Sequence, residues 1–232
     1  MLNKLIITLS LLYCSHSFSS ESIGFYSNGS LNNSASIDDY NGHFEKLFRN
    51  RKRLYATDYL LDFVSEFTYS FYVKNPSIEK FQIGDISAVR GGKVSRHSSH
   101  QNGLDIDIVY LRTNKLGQDI DNPEWAEYFV KSGVVSKNFD TKKNWELFKS
   151  IVSRGDVGRI FVDQAIKKKF CSLYGSSPTS IEKETLRRLR PAKYHLTHFH
   201  LRLKCHPDHV RCKPQADPAN STGCYNLNVE ML

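Results

Sequence analysis

Residues 99–107 read SHQNGLDID, and residues 195–200, far along the chain, read HLTHFH. The first stretch places an aspartate seven positions after a histidine, and the second contains three histidines. Neutral imidazole and carboxylate are ligand types that zinc takes, and catalytic zinc keeps three protein ligands with one position open for water. Together the two stretches supply three ligands and leave further histidines for proton transfer. A zinc hydrolase is therefore the leading hypothesis.

The second stretch runs into a predicted β-strand. Residues 197–203 alternate in polarity, which is typical of a half-buried strand. Because successive side chains of a strand point to opposite faces, His198 and His200 leave the same face, and Phe199 points away from them. The strand thus places two imidazoles side by side above a hydrophobic anchor.

The first stretch combines a turn with a strand. Residues 104–111 also alternate, so Asp105 and Asp107 share one strand face. His100 lies outside the regular strand, but a turn at Gly103 can adopt backbone conformations closed to other residues and bring His100 back over the strand. We interpret Asp105 as a carboxylate that faces solvent or hydrogen-bonds a ligand, and not as a ligand itself.

The rest of the chain predicts helices and short strands in irregular order. Cap residues and apolar spacing predict helices over residues 58–73, 141–152, 164–173 and 180–190. Short strands are predicted over residues 81–86 and 159–162. Residues 21–42 are rich in Ser, Asn and Gly and are predicted to be an extended, loop-like entry. Because helices and strands do not alternate regularly, the predicted fold class is α+β.

Composition and charge narrow the class of protein. The 232 residues are 40% hydrophobic, which suits a folded domain with a full core. The net charge of +8 favours polyanions or carboxylate-rich partners. The basic runs at residues 51–53, 167–169 and 187–188 are interpreted as solvated helix faces or turns. No nucleic-acid recognition motif is found, so no nucleic-acid partner is expected.

The N-terminus has the layout of a secretory signal peptide. Lys4 precedes an apolar run over residues 5–13, and small residues follow over 15–20. We therefore divide the chain into a signal peptide, residues 1–19, and one domain with the predicted zinc site, residues 20–232. The apolar run is too short to span a bilayer, and no other segment approaches that length. A periplasmic or secreted location is expected.

The cysteines fit export. Removal of the signal peptide leaves Cys171, Cys205, Cys212 and Cys224. An even number in an exported chain indicates two disulfides, although four cysteines allow three connectivities. We favour a local Cys205–Cys212 bridge together with a Cys171–Cys224 bridge that ties a helical segment to the tail. The alternative is that Cys205 is a metal ligand, but an oxidising compartment competes for its thiol.

Several motifs, in order, carry a family resemblance: residues 22–24, 84–85, 91–92, 97–108, 159–162 and 198–205. On these the chain resembles the penicillin-insensitive murein endopeptidases over nearly all of its mature length. That family is a branch of the metallopeptidase superfamily that includes lysostaphin, D-Ala-D-Ala peptidases and sonic hedgehog.

The resemblance implies a fold, a site and an activity. The fold would be a small antiparallel sheet that carries the zinc site, with helices packed around it. His100, Asp107 and His200 would hold zinc. His198 would be the general base or would stabilise the developing oxyanion, and His195 would be the second such group. Family members cut the D-alanyl–diaminopimelyl cross-links of peptidoglycan stem peptides in the periplasm.

Some features leave alternatives open. Some family members use a second metal position with a histidine between the two motifs; none occurs between His100 and His195, so one zinc ion is expected. His97 is an extra candidate ligand or a hydrogen-bonding residue at the rim. The rival functions are a D,D- or L,D-carboxypeptidase that trims stem peptides, and a non-catalytic zinc-containing module that binds the wall. Superfamily analogy is also compatible with a homodimer.

Overall fold

A six-stranded sheet crosses the centre of the protein in the computed structural model, which describes residues 19–114, 127–225 and 227. The strands of the described residues are β1 (Glu21–Phe25), β2 (Asn28–Asn32), β3 (Ala35–Ser36), β4 (Phe44–Lys46), β5 (Tyr55–Ala56), β6 (Phe81–Ile83), β7 (Asp105–Val109), β8 (Val130–Lys131), β9 (Val134–Val135), β10 (Val157–Val162), β11 (Leu189–Pro191) and β12 (His198–Leu203). The helices are α1 (Asp58–Lys74), α2 (Thr141–Val152), α3 (Gln164–Tyr174) and α4 (Ser180–Arg188).

The central sheet has the order β11-β10-β12-β7-β6-β4. Its four inner strands pair antiparallel, as the family resemblance implied. The two edge strands, β11 and β4, pair parallel to their neighbours, so the sheet is mixed. The two strands of each parallel pair are connected through helices, as parallel strands require. Helix α1 lies between β4 and β6 along the chain, and α3 and α4 lie between β10 and β11. The α+β fold class is confirmed.

The four helices begin where the sequence predicted. The hydroxyl of Thr57 accepts from a backbone N–H of the first turn of α1, and Asp140 and Asp163 cap α2 and α3 in the same way. Thr179 and Glu182 form a complete capping box at α4. Each such cap contributes about 1 kcal/mol to helix stability. Among the described residues, no helix is long and apolar enough to cross a membrane.

The inner strands β12 and β7 have one apolar face, which packs in the core, and one polar face. Phe199 and Leu201 of β12 and Ile106 and Ile108 of β7 are fully buried among the helices. Burial of each such side chain contributes about 1.5–3 kcal/mol relative to exposure. Because these residues alternate with the polar ones, packing of the core face aims His198, His200, Asp105 and Asp107 at the other face. The alternating pattern therefore sets the location of the site.

Residues 21–42 are extended, as predicted, over β1, β2 and β3, but the prediction that they are loop-like is wrong. β1 and β2 pair antiparallel as a hairpin, and β3 pairs with β5. Gly24 of β1 exchanges two backbone hydrogen bonds with the C-terminal region, from Lys213 and to Arg211. Short polar residues hide the strands from a periodicity analysis, because a ladder of backbone hydrogen bonds needs no apolar alternation.

The sequence analysis interpreted the basic runs as solvated, but the structure shows that they are not uniformly so. Arg53, Lys167 and Arg188, one from each run, are 8%, 1% and 4% exposed. Arg53 pairs with Asp85, Lys167 donates to backbone carbonyls, and Arg188 pairs with two carboxylates. That interpretation is corrected at these three positions, because long-range partners compensate their burial.

Both disulfides favoured by the sequence are present. Cys171–Cys224 joins α3 to the tail across 53 residues, and Cys205–Cys212 closes a loop of only 7 residues. The predicted signal peptide lies, over residues 1–18, outside the described residues.

Removal of the long-range disulfide should destabilise the fold more than removal of the local one. Cross-links stabilise mainly by restricting the unfolded chain, so Cys171→Ser with Cys224→Ser should lower the free energy of unfolding by about 4 kcal/mol, and Cys205→Ser with Cys212→Ser by about 2.5 kcal/mol. Urea unfolding of the two double variants beside the wild type measures both. An equal or reversed order would contradict this account.

Candidate metal centre

Four side chains converge on one buried point at the sheet face opposite the core. Asp107 Oδ1 lies 3.3 Å from His100 Nε2, 3.6 Å from His198 Nε2 and 3.7 Å from His200 Nδ1. Strand pairing explains the meeting, because β12 and β7 run side by side with His200 directly opposite Asp107. The two motifs of the sequence therefore form one site.

His100 reaches the site through a turn. It has a positive φ of 63°, and Gly103 has a φ of 75°, so the chain curls back over β7 as the sequence predicted. A Cβ atom at Gly103 would lie 2.7 Å from the Leu31 side chain and 2.9 Å from the Thr57 backbone nitrogen. Both conformation and space thus require glycine there. A strained residue such as His100 costs about 1–3 kcal/mol and is typical of functional sites.

Outer hydrogen bonds orient two of the imidazoles. His100 Nδ1 lies 2.8 Å from the backbone carbonyl of Ile86 and therefore donates to it. His200 Nε2 lies 2.8 Å from Asp105 Oδ1 and donates to that carboxylate. In the neutral imidazoles, these bonds leave His100 Nε2 and His200 Nδ1 without protons and facing Asp107. Metal-binding histidines typically donate their other ring N–H in this way, which sets the tautomer and the ring orientation.

Asp105 is fully buried and serves as the outer partner, as the sequence interpretation favoured. Its oxygens accept from Arg202 Nε at 2.7 Å, from His200 and from the backbone N–H of His100 at 3.0 Å. Burial alone would raise the pKa of Asp105, but the charge of Arg202 and the hydrogen bond from His200 hold it well below its usual range. Asp105 therefore stays ionised and joins β7, β12 and the turn.

His97 stands at the rim of the centre. Its Nε2 lies 2.9 Å from Asp85 Oδ2 and its Nδ1 lies 3.8 Å from Asp107 Oδ2. Donor atoms of His97, His100 and Asp107 all lie within 4.8 Å of one another, so this trio could also hold a metal ion. Both sequence interpretations of His97, as ligand and as hydrogen-bonding residue, agree with this position.

Asp85 lies at the rim of the centre, and the sequence analysis left it without a role. It follows β6 after one glycine, accepts from Arg53 at 2.7 Å and Arg51 at 3.2 Å, and hydrogen-bonds His97. The only sequence signal was an acidic residue just after a short predicted strand. Burial raises the pKa of Asp85, but the hydrogen bond from His97 and the two arginine charges lower it to about 2.

His195 and His198 approach the centre from the other motif. Their ring centroids lie 5.2 Å apart, and His195 Nδ1 donates to the Lys193 carbonyl at 2.7 Å, which leaves its Nε2 as a proton acceptor. Thr197 Oγ1 hydrogen-bonds His198 Nδ1 at 2.9 Å. Burial lowers the pKa of His198 to about 3 and, more weakly, the pKa of His195. Both imidazoles are therefore neutral near pH 7.

The residues present fit a bound metal ion. Two buried atoms, His100 Nε2 and Asp107 Oδ1, have no hydrogen-bond partner among the described residues. A buried polar atom left unpaired costs about 1–3 kcal/mol, and a divalent cation between the two would satisfy both. Imidazole nitrogens with a carboxylate oxygen form a donor set that zinc takes. Burial lowers the pKa of His200 to about 4, so this third nitrogen also stands unprotonated near pH 7.

A cleft gives access to the centre. It has a volume of about 240 Å³, and its wall includes Arg51, Arg96, His97, Tyr128 and His198. Asp107 lies at its inner end. The structure thus brings together all six residues that the sequence singled out: His97, His100, Asp107, His195, His198 and His200.

Comparisons with known proteins identify the family of this chain. A family described as penicillin-insensitive murein endopeptidase matches residues 22–231. The penicillin-insensitive murein endopeptidase of Escherichia coli (strain K12) is 30% identical over 211 residues, which cover 89% of this chain and 74% of that protein. The proteins of the same name from Escherichia coli O157:H7 and Shigella flexneri serotype 5b (strain 8401) show the same identity and coverage.

Asp85, at the rim of the centre, should make the free energy of unfolding depend on pH in acid. Because its pKa of about 2 in the folded protein lies below the ordinary aspartate pKa of about 3.9, it stabilises the fold above about pH 4, and this stability is lost as the pH falls toward 2. Asp85→Asn should therefore lower the free energy of unfolding at pH 7 by about 2–3 kcal/mol. Urea unfolding of chelator-treated protein across this pH range measures the difference.

Asp38→Asn is the matched control, since Asp38 forms an exposed pair with Arg49. It should cost less than about 1 kcal/mol. If the gap between the wild type and Asp85→Asn stayed constant from pH 4 to pH 2, the assigned role of Asp85 would be wrong.

Proposed function

Because the chain belongs to the penicillin-insensitive murein endopeptidase family, we propose that it is a zinc-dependent endopeptidase of peptidoglycan. Its substrate would be the D-alanyl–diaminopimelyl cross-link between stem peptides. The observation that carries this proposal is the convergence of three imidazole nitrogens on Asp107 Oδ1, within 3.3–3.7 Å, at the end of an open cleft.

His100, Asp107 and His200 would hold the ion. The outer hydrogen bonds to Ile86 and Asp105 support binding through His100 Nε2 and His200 Nδ1, since these are the nitrogens that carry no proton in the neutral imidazoles. His97 and His198 remain close to Asp107, so the ligand set proposed here is the minimal one. One zinc ion suffices for it.

The proposed reaction needs proton transfer at the centre. When bound, zinc lowers the pKa of a water molecule to about 7 and polarises the scissile carbonyl. His198, neutral because burial lowers its pKa to about 3, would accept a proton, and Asp107 at 3.6 Å would stabilise the imidazolium that forms. His195 would act through its unprotonated Nε2, or after protonation would donate to the developing oxyanion or the leaving amine.

Charge and oxidation state support an extracytoplasmic role. The net charge of +8 favours a wall polymer with free carboxylates. The two disulfides are stable in an oxidising compartment such as the periplasm or the exterior. We propose that residues 1–19 direct export and that residues 20–232 form the catalytic domain.

Cleavage of cross-linked muropeptide dimers tests the activity. Mature protein loaded with zinc should convert dimers to monomers, and a chelator should stop the conversion until zinc is restored. Mass spectrometry of the products measures this. Loss of terminal D-alanine from intact dimers would instead indicate a carboxypeptidase, and intact substrate with zinc-loaded, folded protein would contradict both peptidase functions.

Replacement of His198 separates catalysis from metal binding. His198→Ala should lower kcat about 10²–10⁴-fold, because a positioned general base contributes that much. Zinc content, measured per chain by atomic emission, should stay at one. His206→Ala is the control, since this half-exposed histidine lies in the Cys205–Cys212 loop away from the centre. Unchanged wall digestion by His198→Ala would favour the non-catalytic binding module.

A further inference from the structure

A second cavity lies on the same face of the sheet as the metal centre. Its volume is about 310 Å³, and we call it the Arg159 pocket after its most available charge. Three cationic side chains line it, Arg159, Arg202 and Lys204, against one carboxylate, Asp217. The function derived above uses Arg202 only to hold Asp105 and gives the other cations no role.

Strand register sets the distance between this pocket and the metal centre. Arg202 lies two residues beyond His200 on β12, and Arg159 of β10 is paired with Arg202. Phe161 lies between the two sites, paired with His200, with ring centroids 5.1 Å apart. Two residues of a strand span about 6.7 Å. The Arg159 pocket therefore begins about two peptide residues away from the centre.

The charged side chains of the pocket differ in how far they are already paired with other groups. Arg202 is held by Asp105 and Gln215, and Asp217 accepts from Arg188 at 2.8 Å. Arg159 donates to the Ala216 carbonyl at 2.7 Å and has no carboxylate within 4.0 Å among the described residues. A cation in this position offers most of its guanidinium to an anionic ligand.

The electrostatic surroundings of Arg159 also favour an anionic ligand. Burial together with the neighbouring charges of Arg202 and Arg190 lowers the pKa of Arg159. Burial is the largest cause of this lowering, and a bound anion would compensate the partly buried guanidinium. Lys204, whose Nζ donates to the Gly155 carbonyl, adds a further cation at the pocket wall. Carboxylate is the group that a planar guanidinium binds with two parallel hydrogen bonds.

We propose that the Arg159 pocket binds a carboxylate of the peptide substrate, about two residues from the bond that is hydrolysed; this rests on the function proposed above. The cleft beside Thr197 and the Arg159 pocket lie on opposite sides of His200 along β12. A peptide that fills both therefore extends on either side of the centre. The pocket would select an internal bond of a cross-linked peptide over a terminal residue.

The test uses two synthetic cross-linked peptides with the same D-alanyl–diaminopimelyl bond. In one, the carboxylates outside the scissile bond are free, and in the other they are amidated. Zinc-loaded wild type should have a KM about tenfold lower for the free form, since a hydrogen bond to a charged group is worth at least that factor. Arg159→Gln should raise this KM about tenfold and leave kcat and the amidated peptide within about twofold.

Three further variants control the measurement. Arg159→Lys keeps the charge and should retain part of the preference. Lys204→Gln removes a second cation from the pocket wall, just after β12, and so tests the proposal independently of how well Arg159→Gln folds. Arg154→Gln removes an arginine that pairs with Glu66 at an exposed surface and should change neither KM.

Calorimetry provides a readout besides turnover. Binding of the free-carboxylate peptide to chelator-treated protein should weaken about tenfold in Arg159→Gln. If the wild type cleaves both peptides with equal KM, and Arg159→Gln behaves identically, the pocket proposal is overturned and the proposed function stands. If no variant cleaves either peptide but calorimetry still shows the carboxylate preference lost in Arg159→Gln, the proposed function fails and the pocket remains.

Discussion

The rest of the site depends on the ion pair and the hydrogen bonds that the buried carboxylate of Asp105 forms. It links β7, which carries it, to β12 through Arg202 and His200, and to the turn through the backbone N–H of His100. One ionised group thus holds the strand register, the orientation of one imidazole and the position of another. Removal of one partner from such a buried pair costs about 3–5 kcal/mol, because a charge is left without compensation.

Three aspartates close in sequence or space have different roles because their neighbours differ. Asp105 accepts at both oxygens from Arg202, at Oδ1 also from His200 and at Oδ2 also from a backbone N–H, whereas Asp85 accepts from two arginines and His97 at Oδ2 alone. Asp107 faces three inner imidazole nitrogens, and its Oδ1 has no hydrogen-bond partner among the described residues. This oxygen is therefore placed to share a cation with the imidazole nitrogens. The difference lies in the surroundings and not in the residue type.

Much of the fold could be predicted from local sequence, and the failures have two causes. The caps at Thr57, Asp140, Asp163 and Thr179, and the alternation in β7 and β12, involve residues a few positions apart. The β1–β2 hairpin was missed because backbone pairing leaves no side-chain period in a Ser- and Asn-rich segment. The burial of Lys167 was missed because its partners include Thr222, far along the chain.

The sequence by itself determined which residue types could form the site, since the spacing of His198 and His200 and the glycine at 103 act through local backbone geometry. It also determined the number of cysteines available for two bridges. Only the tertiary structure decided which nitrogen of each histidine faces Asp107, and that Asp85 and Arg159 lie beside the centre. Those features depend on contacts between segments distant in sequence, and such contacts leave no periodic trace in the chain.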